Sequence, residues 1–158
     1  MRKKSSCLTL DFPVDEFQPI AITDEILNCF DKKPIEAYKG KTDYMLIFEK
    51  ESHITDIQPQ LEIISKLDAR GVIITAKSET VDFVSRFFAP QSGIIEDSVT
   101  GSAYTTLTPY WAEKLNKTKL TSIQMSARKG HLQCNLSGKR VEISGQAKLY
   151  LAGEIFID

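Results

Sequence analysis

Cysteine, histidine, unbalanced charge and long apolar runs are all scarce in this 158-residue chain. Its three cysteines, Cys7, Cys29 and Cys134, lie far apart with no Cys-x-x-Cys spacing. That argues against a disulfide framework or a zinc site and fits a reducing cytoplasm. Cys134 alternates with apolar neighbours, as a packed small hydrophobe does. A formal net charge of -1 gives no electrostatic reason to expect nucleic acid or a membrane as partner, and Arg2-Lys3-Lys4 reads as a solvated terminus. No apolar run approaches the roughly 20 residues of a spanning helix, and "MRKKSSCLTLDF" lacks the apolar core of a signal peptide. The two histidines, His53 and His131, fall on a polar stretch and at a hairpin turn, without obvious partners. Nucleophile elbow, phosphate loop, dinucleotide fingerprint and metal cluster are all missing.

What is present is a 42% hydrophobic, 26% charged composition that suits one globular domain over residues 1–158. "CLTLDFP" alternates as a strand does. Thr23 is placed to cap a short helix through "DEILNCF". "DYMLIFEK" and "GVIITA" are strands, and "PQLEIISKLDAR" between them is a helix ending at Gly71. "VDFVSRFFA" alternates, with Val81, Phe83 and Ser85 on one side and Asp82, Val84 and Arg86 on the other. "SAYTTLTPYWAEKL" is a helix, apolar nearly all round, with a kink or restart expected at Pro109. The end is a meander of "SIQMSA", "HLQCNL", "RVEIS" and "AKLYLAGEIF", broken at Lys129-Gly130, Ser137-Gly138 and Ser144-Gly145. Helices segregated from a run of antiparallel strands make the class α+β, and a helix with so little polar surface should be buried.

The stretch "IIEDSVTGSAY" concentrates the chemistry. A helix N-terminus offers unpaired N–H groups and the positive end of a dipole, which suit a carboxylate or phosphate. Thr100, Gly101 and Ser102 stand where those groups would lie, and Gly101 lets a ligand come close to the backbone. Ordinary capping by Ser98, Thr100 or Ser102 accounts for the same residues without a ligand. Glu96 and Asp97 precede them. A carboxylate at the lip of such a site can exchange a proton with the bound acid, and burial beside a second carboxylate would raise its pKa toward a useful range. Two exposed loop acids favouring the helix dipole are the competing reading.

From Arg-Phe-Phe-x-Pro through Glu-Asp-x-Val-Thr-Gly-Ser-Ala to Pro-Tyr-Trp-Ala, the sequence resembles the second half of the PhzF-type isomerases, named for phenazine biosynthesis. "LTLDFP", "SARKGHLQCNL" and "VEISGQAKLYLAGEI" extend the resemblance over nearly the whole chain. The resemblance implies a diaminopimelate epimerase-like half, a curved, mostly antiparallel sheet wrapped around a central apolar helix. It further implies cofactor-independent proton transfer on small acidic metabolites in a biosynthetic process, at a site between two similar halves. By that analogy Asp97 handles the proton, Gly101 and Ser102 hold the substrate, and Glu96 is possible support. The family's main acid/base pair, a glutamate and a histidine, comes from a first half to which no residue here corresponds.

Three functions follow as expectations. The first is an isomerase-family half-enzyme in the cytoplasm, completed by a separate N-terminal half or by a homodimer mate. The second is a non-catalytic domain that binds small carboxylates, and the third a structural domain with a vestigial site. For the homodimer, the strands bearing Phe83, Phe87 and Phe88 and the helix bearing Tyr104 are the expected apolar contact surface.

Overall fold

Among the described residues, alternating and β-branched stretches become ten strands of one mixed sheet. The structure, a computed structural model, describes residues 2–4 (backbone only), 7–148 and 150–156. The strands are β1 (Arg2–Lys4), β2 (Cys7–Pro13), β3 (Gln18–Pro19), β4 (Glu36–Lys39), β5 (Asp43–Ile47), β6 (Gly71–Lys77), β7 (Phe83–Phe88), β8 (Lys119–Gln124), β9 (Gly130–Ser137) and β10 (Arg140–Gln146). Their order across the sheet is β1-β2-β10-β9-β8-β7-β6-β5-β4-β3. Neighbours run antiparallel except β5 with β6 and β7 with β8. Parallel neighbours need a long crossover. The first carries the short helices α2 (Glu51–Asp56) and α3 (Leu61–Ile64), and the second carries the long helix α4 (Tyr104–Leu115). A further helix, α1 (Asp24–Leu27), is capped by Thr23, whose hydroxyl accepts from the Ile26 N–H. The class is α+β, as expected.

The central strands are buried on both faces, so each face has its own core. On one, α4 lays Tyr104, Leu107, Tyr110, Trp111 and Ala112 against Met45, Ile73, Phe83, Phe87, Leu132 and Ile143. On the other, Ile26, Ile54, Ile57, Ile64 and Leu67 pack on Leu46, Val72, Ile74, Val84 and Phe88. Period 2 along β7 does the sorting: Phe83 and Phe87 go to the α4 core, Val84 and Phe88 to the other. Each large side chain buried in this way contributes about 1.5–3 kcal/mol. Trp111 stacks on Phe83 at 5.6 Å and donates its indole N–H to Thr75 Oγ1 at 3.0 Å, so the core's largest ring brings no orphan donor with it.

Several expectations need correction. Pro109 does not restart the helix, because α4 runs unbroken through it. The carbonyl a proline orphans, that of Thr105, accepts the Asp15 backbone N–H at 3.1 Å. The helix expected up to Gly71 is only the four-residue α3, and Gly71 opens β6 instead of capping. Its glycine serves packing, since a Cβ there would stand 2.4 Å from the Phe87 ring. Val81 lies before β7 and packs on the opposite core from Phe83. Gly145 lies within β10, not at a turn. "AKLYLAGEIF" forms no strand among the described residues; β10 already has β2 and β9 on its two sides, so it offers no edge for a further hairpin. The apolar contact surface expected for a homodimer is interior instead: Phe83, Phe87, Phe88 and Tyr104 are all buried within the chain. Strand β4 and helix α2, too short for a periodic signal, escape the sequence reading, and α2 carries His53.

Candidate active site at the entrance to α4

After β7 the chain turns through a short 3-10 segment, Pro90–Ser92, and Gly93, whose φ of 76° favours a residue without a side chain. Glu96 and Asp97, adjacent in sequence, then part company. Glu96 is gripped by Arg86, with Nε to Oε1 at 2.7 Å and Nη2 to Oε2 at 3.0 Å. Arg86 also donates through Nη1 to the carbonyls of Ile54 and Ile57, both at 3.2 Å. Glu96 is thus occupied in fastening the junction to α2, rather than standing beside a ligand.

Asp97 belongs to a different network. Its Oδ2 accepts from the Thr100 hydroxyl at 2.7 Å. Gln124, at the end of β8 and 1% exposed, braces this turn from behind. Its Oε1 accepts the Thr100 N–H at 2.8 Å, and its Nε2 donates to the Asp97 carbonyl at 2.8 Å and to Thr100 Oγ1 at 3.2 Å. Ser126 adds a bond to the Ser98 carbonyl at 2.8 Å. With its backbone and one oxygen held, Asp97 keeps Oδ1 free of protein partners among the described residues.

A second 3-10 turn, Gly101–Ala103, leads into α4, and no side chain caps either segment. The capping roles open to Ser98, Thr100 and Ser102 are therefore unused. The Ala103 N–H reaches the Thr100 carbonyl at 3.1 Å, whereas those of Gly101 and Ser102 find no acceptor among the described residues. A Cβ at Gly101 would meet nothing within 4 Å, so the chain is open on the side where a side chain would stand, and Ser102 is exposed beside it. Ser102 Oγ receives a hydrogen bond from Arg70 Nη2 at 3.0 Å. Arg70 is anchored by the buried Asp43 and lies over the Phe87 ring at 5.3 Å. The Asp43 hydrogen bonds raise the Arg70 pKa, burial pulls against them, and the charges of Asp43, Asp15 and Asp97 add to the rise.

The junction thus brings together Asp97, Thr100, Gly101 and Ser102, and turns Glu96 away. No hydrogen bond joins either histidine to Asp97. Arg70, Asp43 and Gln124 escape the sequence reading. A signal for Gln124 was available, since Ser122, Gln124 and Ser126 alternate as polar residues that all prove buried. The site is a ledge and not a closed cleft. Cavities of about 910 Å3 beside Asp15 and about 950 Å3 beside Val99 are lined by neither Asp97 nor Gly101 nor Ser102. Ile94, Ile95 and Val99, on the stretch of chain that carries Asp97, are exposed. Among the described residues no cluster of His, Cys, Asp or Glu has the makings of a metal site, and no helix is long and apolar enough to cross a membrane.

Residues 13–153 match the family model of the phenazine biosynthesis-like proteins, PhzC-PhzF. An uncharacterized isomerase of Pseudomonas aeruginosa is 41% identical over 157 residues, which are 99% of this chain and 60% of the relative. One from Halalkalibacterium halodurans is 35% identical over 98% of this chain and 60% of its own length. Among solved structures, the PhzF-family phenazine biosynthesis protein of Enterococcus faecalis superposes with a TM-score of 0.90 at 40% identity, over 98% of this chain and 60% of that one. The chain therefore spans about 60% of the length of these relatives.

Proposed function

The chain belongs to the phenazine biosynthesis-like PhzC-PhzF family, and on that premise we propose that it is an isomerase-type domain that moves a proton on a small acidic metabolite without a cofactor. One observation carries the reading. A carboxylate held through a single oxygen, Asp97, stands three residues before a helix entrance where the Gly101 and Ser102 N–H groups have no acceptor among the described residues and Gly101 leaves its side-chain side open. In this reading those N–H groups and the Ser102 hydroxyl bind the metabolite's carboxylate, and the field of α4 favours its charge. Asp97 Oδ1 takes a proton from the adjacent carbon or nitrogen and returns it at another position or on another face. Thr100, with Gln124 behind it, fixes the direction from which Asp97 approaches. Glu96 contributes by holding the junction on Arg86.

Proton transfer of this kind needs a second group across the substrate and a wall that excludes water. The ledge has neither, so the domain works with a second wall, from a separate N-terminal half or from a homodimer mate. Ile94, Ile95 and Val99, exposed on the stretch of chain that carries Asp97, are the residues that wall would cover. The sheet is read as curving around α4 as in a diaminopimelate epimerase-like half. Support comes from the α4 core, which draws on strands from β5 across to β10.

The test is incubation with a panel of small carboxylic acids in deuterated water, followed by mass spectrometry, with and without the separately supplied first half of a PhzF relative. Deuterium uptake that falls by about 10²-fold or more in Asp97→Asn is expected. Uptake that survives the substitution overturns the role of Asp97. Binding that is lost in Ser102→Ala with no uptake under any condition identifies a carboxylate-binding domain instead.

A further inference from the structure

We propose that Arg70 is the carboxylate-recognition residue of this site, acting through the free edge of its guanidinium and through the Ser102 hydroxyl. The proposal rests on the reading of the ledge given above and names the group that would choose its ligand.

Arginine has five N–H donors in a fixed plane. The side edge of Arg70, Nε and Nη2, is spent on Asp43: Nε donates to Oδ1 at 3.0 Å and Nη2 to Oδ2. The second Nη2 hydrogen lies on the end edge and is donated to Ser102 Oγ. On that same edge, planarity forces an Nη1 hydrogen to run parallel to it. The two Nη1 hydrogens have no partner among the described residues, and the side chain is 40% exposed. An oxygen seated beside Ser102 Oγ therefore meets an N–H already aimed at it.

Ser102 is set at the same time. Its Oγ accepts from a cation, so its own proton turns away from Arg70 and is available to a ligand. Ser102 Oγ–H, the Ser102 and Gly101 N–H groups and Arg70 Nη1 then form a set of donors with no protein acceptor among them. Charge supports the assignment. Asp43, Asp15 and Asp97 all act on Arg70, and without a cation a bound carboxylate would be repelled by three like charges. Preorganisation is complete before any ligand arrives, because Phe87 lies beneath the guanidinium and the buried Asp43 stands behind it. A neutral amide of the same shape can use the N–H donors but gains nothing from the charge. The site therefore distinguishes an acid from its amide.

The experiment follows the Gly101 and Ser102 amide resonances of the full chain during titration with succinate and, separately, succinamide. The wild type is expected to shift saturably with succinate and to favour it over succinamide by about tenfold or more. Arg70→Gln is expected to remove that preference while resonances remote from the ledge stay in place. Should Arg70→Gln fail to fold because it strands Asp43, the paired variant Arg70→Gln with Asp43→Asn strands no charge and is expected to lose the preference equally. A preference that persists in either variant overturns the role of Arg70 and leaves the ledge intact. Absence of any saturable shift in the wild type overturns the ledge as a binding site, and the role of Arg70 with it.

Discussion

Arg86 and Arg70 each hold a carboxylate through Nε and Nη2, one toward each core of the sheet, and their remaining donors differ. Arg86 spends Nη1 on the carbonyls of Ile54 and Ile57 and is 14% exposed. All three of its guanidinium nitrogens are engaged by protein acceptors. Arg70 stops at Asp43 and a single hydroxyl, with Nη1 unspent and 40% of its side chain exposed. The same fork chemistry thus makes a closed fastening in one place and an open receptor in the other. Neither the residue type nor its carboxylate partner separates them. The separation lies in what the rest of the guanidinium touches.

Opening the closed pair should have the largest effect. Arg86→Met leaves Glu96, 21% exposed, without its cation and frees two carbonyls near the end of α2. Removing one member of a largely buried pair costs about 3–5 kcal/mol. We expect a loss of that order in urea denaturation, and recovery of a good part of it in Arg86→Met with Glu96→Gln, where no charge is stranded. A loss under about 1 kcal/mol would class Arg86–Glu96 with surface ion pairs and dissolve the contrast.

Two glycines sharpen the comparison on the Arg70 side. At Gly71 a methyl group would stand 2.4 Å from the Phe87 ring and 2.9 Å from the Phe88 carbonyl. Gly71→Ala is therefore expected to cost about 1–3 kcal/mol by overpacking and to weaken succinate binding, because Phe87 is the floor under Arg70. At Gly101 a methyl group meets nothing, so Gly101→Ala should change stability by no more than about 0.5 kcal/mol while crowding the approach to the ledge. Thermal unfolding and the amide titration, run on both variants, check the pair. Equal stability losses would contradict this account of the two positions.

The sequence was most readable where one force acts alone. Period 2 in β7 and the β-branched run of β6 place those strands, since a strand buried on both faces has to be continuously apolar. The helix entrance at Thr100–Ser102 is also visible from residue type. What stayed hidden depended on partners far along the chain. Pro109 appears as a helix break until Asp15, 94 positions earlier, is known to take the Thr105 carbonyl. Glu96 and Asp97 look equivalent until Arg86 claims one and Thr100 the other. The apolar character of Phe83, Phe87 and Phe88 is plain, but whether it faces a partner or the chain's own core depends on how the sheet receives α4. Arg70, in a polar loop, carries no local sign that it ends beside Ser102.

Glu36 offers a third way of anchoring a carboxylate and the smallest expected effect. No guanidinium fork is involved. The Tyr38 hydroxyl donates at 2.6 Å, the Tyr110 hydroxyl at 3.3 Å, and Lys114 Nζ approaches at 3.1 Å. These hold the Glu36 pKa below its ordinary value. The Tyr38 hydrogen bond is the foremost cause, burial opposes it, and the hydrogen bond and charge of Lys114 and then the Tyr110 hydroxyl assist. Because the folded value lies below the unfolded one, Glu36 adds stability that is complete above the ordinary glutamate range, about 4.3. That stability fades as the pH falls through this range toward the lowered folded value. Glu36 is partly exposed, so solvent screens the charge and the contribution should stay below about 1 kcal/mol. Since a neutral hydroxyl leads, Tyr38→Phe should flatten the acid limb of a stability–pH curve more than Lys114→Met, and added salt should spare most of the difference. An acid limb that responded to Lys114→Met and to salt but not to Tyr38→Phe would make Glu36 an ordinary surface ion pair, leaving Arg86 and Arg70 as the only anchors of a different kind.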